Sequence, residues 1–167
     1  WHSVLIGASI ACYQQYPALL ATPRSEFRLS NRVKEKIALL IATFIGRNYY
    51  TNTPAWSLEA LAERIGVPVM SVETVLTIIL RAGYITETAD DPPLYLPARP
   101  FETITVKNLL DVMRTAGERA SLSAERLPHE PQVERMRARV DDAVDATLRG
   151  HSLRELALAG VPPDKAA

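Results

Sequence analysis

The chain has 167 residues, with 19 Lys and Arg balancing 19 Asp and Glu, 47% apolar residues, 12 Pro, 7 Gly and one Cys. That is an ordinary globular composition, with length for one domain and extensions. A formal net charge of zero gives no bulk pull toward nucleic acid or an anionic membrane, and the lone Cys12 excludes a disulfide scaffold, a cysteine-based zinc finger and an iron–sulfur cage.

Residues 1–23 contain no Asp, Glu, Lys or Arg, and residues 4–12 are nearly all apolar or small. Nine residues fall short of the roughly 20 that a helix needs to cross a bilayer. A basic collar follows (Arg24, Arg28, Arg32, Lys34, Lys36), and residues 24–47 carry a net charge of +4. Because cytoplasmic flanks of membrane helices are commonly basic, and because the chain begins at Trp1 rather than Met, we expect residues 1–23 to be the stump of a membrane helix and a linker. A short buried helix is the equal alternative. Pro17 and Pro23 interrupt any helix there.

Ser30 is placed to cap a first helix, in which Val33, Ile37, Leu40, Ile41, Phe44 and Ile45 share one apolar face, and Gly46 is expected to end it. Ser57 caps a second helix with Leu58, Leu61, Ala62 and Ile65 inward, stopped by Gly66. Pro68 opens a third, with Val72, Val75, Leu76, Ile79 and Leu80 on the core side and Gly83 at its end. A small residue, a glycine turn and β-branched residues at this spacing suit a helix-turn-helix. Residues 84–88, a turn over 89–93 and residues 94–96 then form a hairpin. The expected fold is mostly α with a small β-hairpin wing: a winged helix-turn-helix over 24–117, followed by a tail, 118–167, of loop, long helix and short final helix.

The candidate interaction face of the third helix is Ser71, Glu73, Thr74, Thr77, Ile78 and Arg81, and the wing tip is Asp90, Asp91, Pro92 and Pro93. Residues 48–100 carry a net charge of −3. Phosphate neutralisation supplies most non-specific DNA affinity, so this placement favours a protein-contact surface over nucleic acid.

Thr105 caps a fourth helix with Val106, Leu109, Leu110 and Met113 inward and Gly117 at its close. In the long helix, Val133, Met136, Val140, Val144 and Leu148 recur at steps of three and four, flanked by Arg135, Arg137, Arg139, Asp141, Asp142 and Asp145. Such a stripe either lies on its own domain or joins two chains as a homodimer. Gly150 ends the helix, and Ser152 with Glu155 caps a last one over residues 153–159. His2, His129 and His151 have no partner at ligand spacing, and no phosphate loop or nucleophile elbow occurs. No catalytic residue, metal or cofactor is therefore expected.

Two resemblances follow from these residues. The segments RLSNRVKEKIALLIA, SLEALAERIGVPVMSVETVLTIILRAGYITET, LYLPARPFETITVKNLLDVM and the long helix with its SLREL coda resemble the Rrf-type (BadM-type) winged-helix regulators. That resemblance implies DNA binding and dimerisation through the long helix. The three cysteines that hold an iron–sulfur cluster in some members are absent after Leu110, and DDPP replaces a glycine-rich wing. The opening WHSVLIGASIA resembles the end of the last membrane helix of the YihY/BrkB inner-membrane family, once labelled ribonuclease BN. Together they lead us to expect a non-catalytic interaction or regulatory module on the cytoplasmic side of a bacterial inner membrane, with an unidentified protein partner. A DNA-binding transcription regulator is the alternative. A ribonuclease would rest on a family name alone.

Overall fold

The first helix, α1 (Asn31–Tyr50), starts where Ser30 Oγ accepts the Val33 N–H at 3.4 Å. The computed structural model describes residues 29–118 and 123–162; the stump at 1–23, Arg24 and Arg28 lie outside them. α1 buries Ile37, Ala38, Ile41, Ala42, Ile45 and Gly46, while Val33 stays exposed in its first turn. The expected stop at Gly46 does not occur. Gly46 lies inside the helix because Phe101 and Ala157 press on it: a Cβ there would stand 2.8 Å from Ala157 Cβ and 2.9 Å from Phe101 Cδ2. The helix ends a turn later, where the Thr51 N–H and hydroxyl both donate to Arg47 O.

A two-residue strand, β1 (Trp56–Ser57), precedes α2 (Leu58–Ile65), and Ser57 Oγ caps that helix by accepting the Ala60 N–H at 3.3 Å. Gly66 closes α2 at φ 76°, a left-handed conformation that costs glycine little. α3 (Val69–Arg81) follows with Pro68 as its cap, and buries Ser71, Val72, Val75, Leu76 and Ile79 on its core side. β2 (Ile85–Glu87) and β3 (Leu94–Pro97) pair antiparallel with Ile85 opposite Pro97 and Glu87 opposite Tyr95. β1 adds to the other edge of β3, with Trp56 opposite Tyr95, so the expected hairpin is a three-stranded sheet in the order β1-β3-β2. Two residues cannot show a period of two, which is why the sequence did not reveal β1.

After a 3-10 turn (Phe101–Thr103), α4 (Val106–Thr115) is capped reciprocally. Thr105 Oγ1 accepts the Asn108 N–H at 3.1 Å, and Asn108 Oδ1 accepts the Thr105 N–H at 3.0 Å. A second 3-10 turn (Ala124–Arg126) interrupts the connection to α5 (Pro131–Leu148), and α6 (Leu153–Leu158), the last helix among the described residues, starts with the Ser152 and Glu155 capping box. The starts of α4 and α6 lie side by side: the Val106 N–H donates to His151 O at 2.9 Å and the Leu153 N–H to Ile104 O at 2.8 Å. α6 packs on α1, and Arg47 holds its end, Nε donating to Ala157 O and Nη2 to Ala159 O. Leu153 and Ala157 are buried, so the last helix shares its core with the winged helix. No helix of the described residues is long and apolar enough to cross a membrane.

Candidate functional site

Helix α3 is amphipathic, so the residues that face outward are those its core positions leave over. The structure exposes Val69, Met70, Glu73, Thr74 and Arg81 and leaves Thr77 and Ile78 half-buried. Ser71 departs from the expected face: it is 2% exposed, and its hydroxyl has no hydrogen-bond partner among the described residues. It lies one residue before the buried Val72, so the core stripe is wider at its start than the spacing of large apolar residues suggests. Thr74 Oγ1 donates to Met70 O at 2.7 Å and Thr77 Oγ1 to Glu73 O at 2.8 Å. Both hydroxyls sit on exposed carbonyls of their own helix, from which a rotation about χ1 frees them.

The C-terminal end of α3 is held by a residue that the sequence did not single out. Arg99, beyond β3, donates from Nε to Gly83 O at 3.1 Å and from Nη2 to Ala82 O at 3.0 Å, and its guanidinium lies 4.9 Å from the centre of the Tyr84 ring. A cation there satisfies the last carbonyls and complements the helix dipole. Its signal in the sequence was weak, a lone arginine between prolines. Arg64, at the end of α2, is similarly drawn over the Phe44 ring at 5.2 Å. Arg81 is thus the basic residue of this region least engaged by its own chain.

Carboxylates dominate the rest of the face. Tyr95, buried under the sheet, has its phenol pushed up first by burial and then by Glu87, Glu59 and Glu73, which surround it from β2, α2 and α3. Asp90 and Asp91 are exposed at the wing tip. The tip is closed by the Thr88 N–H donating to Leu94 O at 2.9 Å and the Leu94 N–H donating to Thr88 Oγ1 at 3.0 Å. Of the basic collar, Arg32, Lys34 and Lys36 lie in the first turns of α1, with Lys34 half-buried.

The second surface is α5, which buries none of its 18 residues. Val133, Met136 and Val140 remain 53%, 58% and 57% exposed, whereas Val144 and Leu148 are half-buried against the body. Lys107 on α4 joins Asp111 at 2.6 Å and Asp145 at 3.3 Å, and Arg114 joins Glu35 at 2.7 Å. These carboxylates, Asp111 first, raise the Lys107 ammonium above its ordinary range. Between α4 and α5 runs an apolar groove of about 590 Å³ lined by Leu110, Arg114, Met136, Val140, Val144 and Leu148. Among the described residues, no group of three or more His, Cys, Asp or Glu is placed to hold a metal ion.

A buried three-helix core, a helix-turn-helix and a three-stranded wing define a winged-helix fold, and solved structures with that fold resemble this one. No family model matches the chain, and no curated protein matches it. CymR of Staphylococcus aureus is 21% identical, with 74% of this chain and 94% of that chain covered at a TM-score of 0.55. CymR, the global cysteine regulator of B. subtilis, is 19% identical over 80% of this chain and 98% of that one, with a TM-score of 0.58. IscR of T. potens is 18% identical over 84% and 93%, with a TM-score of 0.57. At these identities the likeness shows the fold, and it covers most of the chain.

Proposed function

We propose that this chain is a winged-helix regulator that reads duplex DNA with α3 and acts as a dimer joined along α5. The observation that carries the reading is the likeness, over most of the chain, to regulators that include the global cysteine regulator of B. subtilis. The resemblance of the sequence to Rrf-type regulators supports the same reading. Thr74, Thr77 and Arg81 are suited to base edges and phosphate. A single free arginine beside Glu73 gives each module few phosphate contacts, so two modules on half-sites about 34–36 Å apart supply affinity that one lacks.

The test is fluorescence anisotropy on duplexes selected from a random pool. Two to three phosphate contacts per module predict a salt slope of about −4 to −5 for a dimer, and Arg81→Ala should weaken binding. If no duplex is retained at low salt, the reading fails.

A second reading is favoured by the exposed apolar pair Val69 and Met70 next to Glu73, and by the two aspartates of the wing tip. In it, the same face docks a protein, and the module is the cytoplasmic part of a bacterial inner-membrane protein. The uncharged residues 1–23 and the collar Arg24, Arg28, Arg32, Lys34 and Lys36 support that location. The sequence upstream of Trp1 tests it: about five apolar spans of roughly 20 residues are expected, and a start codon a few residues away would sink it.

A further inference from the structure

We infer that the groove between α4 and α5 binds a single-chain amphiphile with a carboxylate head, a medium-chain fatty acid, whose head sits at Arg139 and Arg114 and whose tail runs toward Leu148. The groove holds about 590 Å³, and Leu110, Val140, Ala143 and Val144 line it between those ends. A slot of that size, with apolar walls and a few polar groups to fix orientation, has the make-up of a small-molecule site.

The two ends differ in what they offer. α4 and α5 run antiparallel: Lys107, early in α4, meets Asp145, late in α5, at 3.3 Å, and Arg114, at the other end of α4, feels the charge of Asp141. Arg114 and Arg139 therefore flank the same end of the groove. Arg114 gives its Nε to Glu35 Oε1 at 2.7 Å, and its other N–H groups have no partner among the described residues. Arg139 has no hydrogen-bond or ion-pair partner there at all, and the half of α5 that leads to it holds Arg135, Arg137 and Arg139 against Glu134. An unanswered guanidinium beside an apolar wall suits a carboxylate, which it can grip through two parallel N–H···O bonds. At the far end the one cation, Lys107, is already committed to Asp111 and Asp145, and the lining is Thr147 and Leu148. That end suits a methyl terminus. From Arg139 to Leu148 the helix runs ~13 Å, the reach of a medium-length acyl chain in extended form.

Met136, Val140 and Val144 line the groove and also belong to the stripe proposed to join two copies, so a filled groove and a paired α5 exclude one another. This consequence, unlike the site itself, rests on the dimer reading above.

Calorimetric titration of the 167-residue chain with decanoate, below its micelle-forming concentration, tests the site. One molecule should bind per chain, with affinity falling about two- to fourfold for each methylene removed from the tail, and decylamine should not compete. Arg139→Gln should weaken decanoate about tenfold or more while leaving decanol bound as in the parent chain, and Ala143→Phe, which fills the groove, should weaken both. Both side chains are exposed, so circular dichroism should show the fold unchanged. Absence of saturable binding, or decanoate binding that Arg139→Gln leaves intact, would overturn the site, and equal binding of decylamine would overturn the assignment of its head. Decanoate should also lower the mass seen by light scattering. If it binds and the dimer persists, the exclusion of pairing fails and the site stands; a chain that is monomeric without decanoate removes the dimer reading, and the titration still decides the site.

Discussion

Two helices that follow one another in the tail have opposite fates. α5 is three times as long as α6, yet it buries nothing, whereas α6 places Leu153 and Ala157 in the core and is held by Arg47 at its end. Length and regular apolar spacing do not decide burial. What decides it is whether the rest of the chain offers a complementary surface, and α1 offers one to α6 at Gly46. α5 meets the body mainly at α4, through Leu110 and the Lys107–Asp145 pair, with Leu148 against the core at its end. One helix of the tail therefore stabilises the fold, and its neighbour is left available for another molecule.

The contrast can be broken most severely from the α6 side. Leu153→Ala should cost about 2–5 kcal/mol of stability, seen as a lower denaturant midpoint, because a fully buried leucine leaves a cavity against α1. Gly46→Ala should cost about 1–3 kcal/mol by overpacking against Phe101 and Ala157, less roughly 1 kcal/mol gained in helix propensity. Thr105→Ala, which opens the cap of α4 next to the start of α6, should cost about 1 kcal/mol.

A smaller effect comes from pH. Tyr50 OH donates to Glu102 Oε2 at 2.7 Å, accepts the Phe101 N–H at 3.2 Å and lies under Arg154 of α6. Burial, and then the bond to Glu102, push its phenol up to about 12 from 10.0. The unfolded chain loses this proton first, so the contribution is complete below pH 10 and declines as the pH rises toward 12. Denaturant midpoints measured through that window should fall, and Tyr50→Phe should flatten the part of the decline that Tyr50 causes. The least change in monomer stability is expected for Val140→Asp on α5, within about 0.5 kcal/mol, while light scattering should show the dimer lost. A large destabilisation by this variant would mean that α5 supports its own fold after all.

Much of this organisation was legible in the residues because it is written locally. Ser30, Ser57, Thr105 and Ser152 cap helices by bonds that span three residues, and Gly66 ends one by its own backbone freedom. Gly46 misled because glycine has two uses, ending a helix or admitting a neighbour, and only the distant residues Phe101 and Ala157 select between them. Ser71 misled for a related reason: a small polar residue beside a core stripe is drawn inward by the packing of α2 on α3, which its own neighbours in sequence do not record. On the candidate site, Glu73, Thr74 and Arg81 were readable from helical period, whereas the commitment of Arg99 to the end of α3 required the chain to return past the wing.

The sequence by itself determined the order of helices and strands, their caps, the acidic face of the winged helix and the divided charge of α5, since each follows from spacing and residue type over a few turns. Only the tertiary structure decided that β1 completes the wing, that α1 continues past Gly46 and that α6 is core while α5 is surface. Those outcomes depend on contacts between residues far apart in the chain, where the gain is burial and the partner is fixed only once the rest has folded.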